Sequence, residues 1–155
     1  MAIQSLDSAK KNKNDEFYTL YEDIQRELNY YTDQFRGKIV YCNCDDPAES
    51  AFSDFFKLNF DYLGLKKLIC TRYAKSGLLW DLDGRDPVRN YGYKLEITGR
   101  DRCEKMEIEG DGDFRSQESI KLLDESDIVC TNPPFSLFRE YVNQLVEHNK
   151  IPNYR

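Results

Sequence analysis

Four consecutive residues, Asn132-Pro133-Pro134-Phe135, are the part of this 155-residue chain best suited to chemistry. Asn132 carries a side-chain carbonyl that accepts hydrogen bonds. Pro133 has no N–H, so its carbonyl is its only polar main-chain group, and its φ is fixed. Pro134 biases Pro133 towards an extended backbone, which aims that carbonyl. Phe135 adds a flat apolar face. Two fixed acceptors beside a ring suit a planar heterocycle with an exocyclic –NH2 group, stacked on the phenyl for roughly 1–3 kcal/mol. The competing reading is a rigid loop that ends a strand, with Phe135 in the core.

An aryl amine is a poor nucleophile because its lone pair is delocalised into the ring. Acceptors on both hydrogens make the nitrogen more tetrahedral and stabilise the positive N–H charge that develops during reaction. Such preorganised electrostatics are the mirror image of an oxyanion hole. No histidine base is required, and the only histidine, His148, lies far from this motif.

A strand must present this motif and a helix must follow it. "DIVCT" (127–131) reads as the strand, and Leu137, Phe138, Tyr141, Val142 and Leu145 mark an amphipathic helix. Upstream, Phe17, Leu20, Tyr21, Ile24, Leu28, Tyr31 and Phe35 recur at helical spacing until Gly37. Residues 38–43 and 66–73 read as buried strands. Between them a helix over 50–63 carries Phe52, Phe55, Phe56 and Phe60 on one face, with Gly64 as its C-terminal cap. Residues 93–97 and 105–109 read as further strands, and 116–123 as a short helix capped by Ser116. Residues 74–91 form the longest irregular region, and 1–14 read as a flexible polar tail before a single domain over 15–155.

Alternating helices and strands predict an α/β sheet with helices on its faces. Ligands of such sheets sit beyond the carboxyl ends of the strands. Three turns are therefore expected side by side: Asn43–Pro47, Gly110–Phe114 and Asn132–Phe135.

Composition bounds the rest. With 40% hydrophobic residues, 11 Tyr and 9 Phe, the chain can bury a core despite being 32% charged. No apolar run reaches the roughly 18 residues of a membrane span, and no signal-peptide pattern is present, so a cytoplasmic location and no membrane partner are expected. Five cysteines without a leader argue against a disulfide framework. Cys42 and Cys44 lack a second ligand pair, so no metal is expected, and Cys42, Cys70 and Cys130 read as buried hydrophobes. A net charge of −6 excludes a generic nucleic-acid-coating protein but allows a local basic patch.

Several segments in order carry a resemblance over nearly the whole chain: "NDEFYT" (14–19), "GKIVYCNCDDPAES" (37–50), "LGLKKLICTRY" (63–73), "EGDGDFRS" (109–116) and "DIVCTNPPFSLFREYV" (127–142). Together they resemble the EcoRI-type adenine-specific DNA methyltransferases. The resemblance implies a Rossmann-like S-adenosylmethionine-dependent sheet and methyl transfer to the exocyclic nitrogen of a flipped adenine in double-stranded DNA, within restriction-modification. Asn132, Pro133, Pro134 and Phe135 would then be catalytic. Asn43, Cys44, Asp45, Asp46 and Pro47 would hold the methionine end of S-adenosylmethionine. Asp113 would accept from the cofactor's adenine amino group while Phe114 flanks its ring. Phe17, Tyr18 and Thr19 would close over the methionine, although Phe17 also suits the core of the first helix.

Each turn keeps a plainer reading. "Asp-Asp-Pro" is a common turn, and "EGDGDFRS" suits a solvated acidic one. A calcium loop is excluded there, because Ser116 occupies the position that needs Gly. "ICTRYAK" supplies no acid for the cofactor ribose. Family members also continue well past the helix after Asn132–Phe135. The resemblance thus implies a sheet incomplete on its C-terminal side, missing strands and the target-recognition region. A missing half supplied separately, or self-association through the open edge, would follow. Two rivals remain open: a silent remnant that only binds cofactor or a partner, and an amino-methyltransferase acting on RNA or protein glutamine.

Overall fold

The computed structural model describes residues 20–44, 47–48, 50–73, 79–80, 87–88, 92–108, 110–133 and 135–150. The N-terminal tail, Phe17, Tyr18, Thr19, Asp45, Asp46, Pro134 and the side chain of Phe135 lie outside the described residues.

Helix α1 (Tyr21–Leu28) continues as a 3-10 turn over Asn29–Gln34, and Gly37 closes the segment at φ +71°. Strand β1 (Ile39–Cys42) follows. The single helix expected over 50–63 is instead two, α2 (Ala51–Leu58) and α3 (Phe60–Leu63). The break falls at Asn59, whose φ of −106° leaves the helical range, although its N–H still bonds the Phe55 carbonyl at 3.0 Å and its side-chain amide adds a second bond there at 2.8 Å. Ser50 caps α2 through the Ser53 N–H, and Gly64 ends α3 in the left-handed conformation at φ +66°.

Strand β2 (Lys67–Arg72) leads to two short strands, β3 (Leu79–Trp80) and β4 (Pro87–Val88), which pair antiparallel with each other. These lie within the stretch expected to be irregular. Strand β5 (Tyr93–Gly99) runs two residues past the expected 97, β6 (Arg102–Glu107) begins and ends earlier than the expected 105–109, and the two form a hairpin. Helix α4 (Gln117–Glu125), the short strand β7 (Ile128–Val129), a 3-10 turn over Phe135–Leu137 and helix α5 (Phe138–Glu147) complete the order.

The main sheet has the order β6-β5-β2-β1-β7. β1 pairs in parallel with both β2 and β7, while β5 and β6 are antiparallel. The two-residue link at Arg100–Asp101 permits a hairpin but not a parallel crossover.

Helices cover both faces, as a Rossmann-like sheet requires. Ile24, Leu28, Phe55, Phe56 and Leu63 pack with Val40, Cys42, Leu68, Cys70 and Cys130 on one side. Leu122, Leu123, Tyr141 and Leu145 pack with Tyr41, Ile69 and Val129 on the other. Successive strand residues thus alternate between two cores, as the period of two demands. All five cysteines are free, and Cys42, Cys70 and Cys130 are fully buried, so they serve as small hydrophobes. No described helix is long and apolar enough to cross a membrane.

Ser116 caps α4 by accepting from the Ser119 N–H at 3.2 Å. Ser116→Ala should lower stability by about 1 kcal/mol. Urea unfolding checks this as a lower midpoint at unchanged slope.

Candidate active site

The three turns anticipated from the α/β pattern converge at the carboxyl ends of β1, β2 and β7. Parallel pairing makes this unavoidable for two of them, because β1 and β7 both finish at the same end of the sheet. The Cys44 N–H donates to the Thr131 hydroxyl at 3.0 Å, which stitches the turn after β1 to the turn that opens on Asn132.

Asn43 is the knot of the site. It is only 3% exposed. Its backbone carbonyl accepts from the Thr71 hydroxyl at 3.2 Å, and that hydroxyl meets Tyr41 Oη at 3.2 Å. Its side-chain Oδ1 accepts from the Tyr141 hydroxyl of α5 and from Cys44 Sγ at 3.7 Å. Burial pushes the Tyr41 phenol well above its ordinary range, so it stays a neutral hydrogen-bonding group at all working pH. Cys44 is half-buried, and Pro47 is buried with its carbonyl accepting from Lys57 Nζ at 2.6 Å.

The Gly110–Phe114 turn lies against the end of β2. Gly112 has φ +79°, and a Cβ there would lie 2.3 Å from the Arg72 carbonyl oxygen, so only glycine lets the turn approach so closely. Phe114 is buried, its ring edge-to-face with Tyr141 at 5.1 Å between centroids. Its carbonyl accepts from Gln144 Nε2 at 2.9 Å. The Asp113 carboxylate is gripped by Arg115, through Nε at 2.9 Å, Nη2 at 2.7 Å and the backbone N–H at 2.8 Å. Arg115 also reaches Glu140 on α5 at 3.4 Å. The hydrogen bond and charge of Arg115 hold the Asp113 carboxyl below the usual carboxylate range.

In the third turn, Asn132 is half-buried, Pro133 is buried, and the Phe135 backbone begins the 3-10 turn that leads into α5. Among the described residues, no group of three or more His, Cys, Asp or Glu side chains could hold a metal ion.

Thr131, Gln144 and Arg115 were not read from the sequence as site residues, and Tyr141 was read only as part of the apolar stripe of the last helix. Tyr141 carried a signal: the spacing of Leu137, Tyr141 and Leu145 puts a phenol on the buried stripe of α5, and a buried hydroxyl needs a partner. Thr131 and Gln144 are tied to turns 87 and 30 residues away in sequence, which local pattern does not reveal.

A family model described as the adenine-specific methyltransferase EcoRI matches residues 5–151. The chain is 50% identical over 160 residues to the type II methyltransferase M.EcoRI of Escherichia coli, covering 94% of this chain and 46% of that protein. It is 45% identical to the type II methyltransferase M.MpnI of Mycoplasma pneumoniae, covering 92% of this chain and 40% of the relative. With M.MgeORF184P of Mycoplasma genitalium, another type II methyltransferase, the identity is 42% at the same coverage. The chain therefore spans less than half the length of these curated relatives. No solved structure matches it significantly.

Because the folded Asp113 carboxyl is lowered, its pairing with Arg115 stabilises the fold above the unfolded pKa of 3.8, and this is lost as pH falls through the folded value. In Arg115→Ala the Asp113 carboxyl should titrate higher, by NMR of the carboxyl carbon. The stability gap between wild type and variant should shrink as the pH drops below 3.8.

Proposed function

We propose that this chain, which belongs to the adenine-specific EcoRI methyltransferase family, carries the methyl-transfer site of an enzyme acting on the exocyclic amino nitrogen of adenine in double-stranded DNA, with S-adenosylmethionine as donor. The observation that carries this reading is the Cys44–Thr131 hydrogen bond. It holds the turn suited to a cofactor against the turn suited to an aromatic amine.

The residues at the end of β1 fit the donor's amino-acid end. The Asn43 amide nitrogen makes no hydrogen bond among the described residues, so it can donate to a carboxylate. Asp45 and Asp46 supply charge for an ammonium group. On the other side, the glycine-lined turn brings bare backbone and the ionised Asp113 to the carboxyl edge of β2, where an adenine amino group finds an acceptor. Phe17, Tyr18 and Thr19 are assigned to closing over the methionine. When bound, S-adenosylmethionine supplies an electrophilic methyl group on a sulfonium.

The chain's own part is to prepare the nucleophile. Asn132 Oδ1 and the Pro133 carbonyl accept the two amine hydrogens. That pulls the nitrogen out of conjugation and directs its lone pair away from the acceptors. As positive charge grows on the N–H bonds, both acceptors stabilise it without reorganising, since Pro133 and Pro134 fix the backbone. Phe135 stacks on a base taken out of the duplex. Holding both partners at one sheet end supplies the rest of the rate gain as proximity.

Incubation of the purified chain with methyl-labelled S-adenosylmethionine and duplex DNA should yield N6-methyladenine on nucleoside digestion. Asn132→Ala should lower that transfer by about 100- to 1000-fold while cofactor affinity stays nearly intact. Equal loss of both, or label in RNA or protein glutamine instead, would overturn the assignment.

A further inference from the structure

Helix α5 starts a few residues beyond the target-amine turn, yet its inner face grips both turns assigned to the cofactor. Tyr141 is fully buried, with its hydroxyl on Asn43 Oδ1 and its ring against Phe114. One turn further on, Gln144 holds the Phe114 carbonyl. Glu140 reaches the arginine that clasps Asp113.

An amide has two ends, and Tyr141 decides which end of Asn43 faces where. With Oδ1 engaged by Tyr141 and Cys44, and the backbone carbonyl engaged by Thr71, only the Nδ2 group is left over. Among the described residues, the sealed polar atoms without a partner are Ser53 Oγ and Gln144 Oε1. Asn43 Nδ2 is not one of them, so it keeps some exposure although the residue is almost wholly buried. Without the phenol, the amide could turn over and present its carbonyl to an incoming carboxylate, which repels rather than binds it.

Resting on the function proposed above, we infer that Tyr141 is a positioning residue, fixing the Asn43 amide so that its N–H groups meet the carboxylate at the methionine end of the cofactor. Tyr141 touches neither cofactor nor substrate in this role. Its place on the helix that follows Asn132–Phe135 also links cofactor capture to the position of the target-amine turn.

Tyr141→Phe removes the hydroxyl and keeps the ring on Phe114, so the core stays filled. Calorimetric titration with S-adenosylmethionine should show affinity reduced about tenfold, the scale of one buried hydrogen bond. 5′-Methylthioadenosine, which has the same nucleoside but no amino-acid end, should bind the variant as it binds wild type. Gln144→Ala, which loosens the Phe114 turn, should weaken both ligands alike. If Tyr141→Phe weakens both ligands equally, or neither, the positioning role is overturned while wild-type binding leaves the proposed function standing. If wild type binds neither ligand, both fall together.

Discussion

The candidate site depends on β1 being paired in parallel along both edges, with β2 on one side and β7 on the other. The chain leaves β1 through helices on one face, returns as β2, and much later returns as β7 from helix α4 on the opposite face. The turns after β1 and β7 therefore diverge from a common line at one end of the sheet, which is where open α/β sheets form their ligand crevices. The β5–β6 hairpin extends the sheet beyond β2, and Gly92 before it packs closely against Asp111 and Gly112.

At that crevice the structure accepts a cost. Thr71, Asn43 and Thr131 are polar side chains at the boundary of a hydrophobic core, almost entirely removed from water. Each must find a partner or destabilise the fold by roughly 1–3 kcal/mol. They find one another and two tyrosines: Tyr41 to Thr71, Thr71 to Asn43, Asn43 to Tyr141, and Thr131 to the Cys44 N–H. A satisfied network of this kind is rigid, and rigidity is what a site needs when its rate gain comes from placing two reactants in register. The same bonds that keep the core intact thus set the geometry of the turns.

Much of this was legible in the sequence, for reasons that differ by element. The buried strands announced themselves as short continuous apolar runs, and the caps at Ser116 and Gly64 fall where their residue types predict. The convergence of the three turns followed from helix–strand alternation, with no need of long-range information. The break at Asn59 escaped because the apolar spacing of Phe55, Phe56, Phe60 and Leu63 stays helical across it, while the departure of one residue's backbone from helical dihedrals has no signature in spacing. The clasp of Arg115 on Asp113 was equally invisible, since two residues apart is not a helical pairing distance and only the turn brings the groups together. Tyr141 sat in plain view on an apolar stripe, but its partner lies 98 positions upstream.

On the proposed function, the turns after β1 and after β6 form one cofactor pocket, with the turn that opens on Asn132 beside it. Amide hydrogen exchange of the chain with and without saturating S-adenosylmethionine tests it most directly. The account predicts slowed exchange in three separate stretches together, residues 43–48, 110–116 and 131–133, with the remote β5–β6 turn at Arg100–Asp101 unaffected. Protection confined to one stretch, or appearing at that remote turn instead, would contradict it.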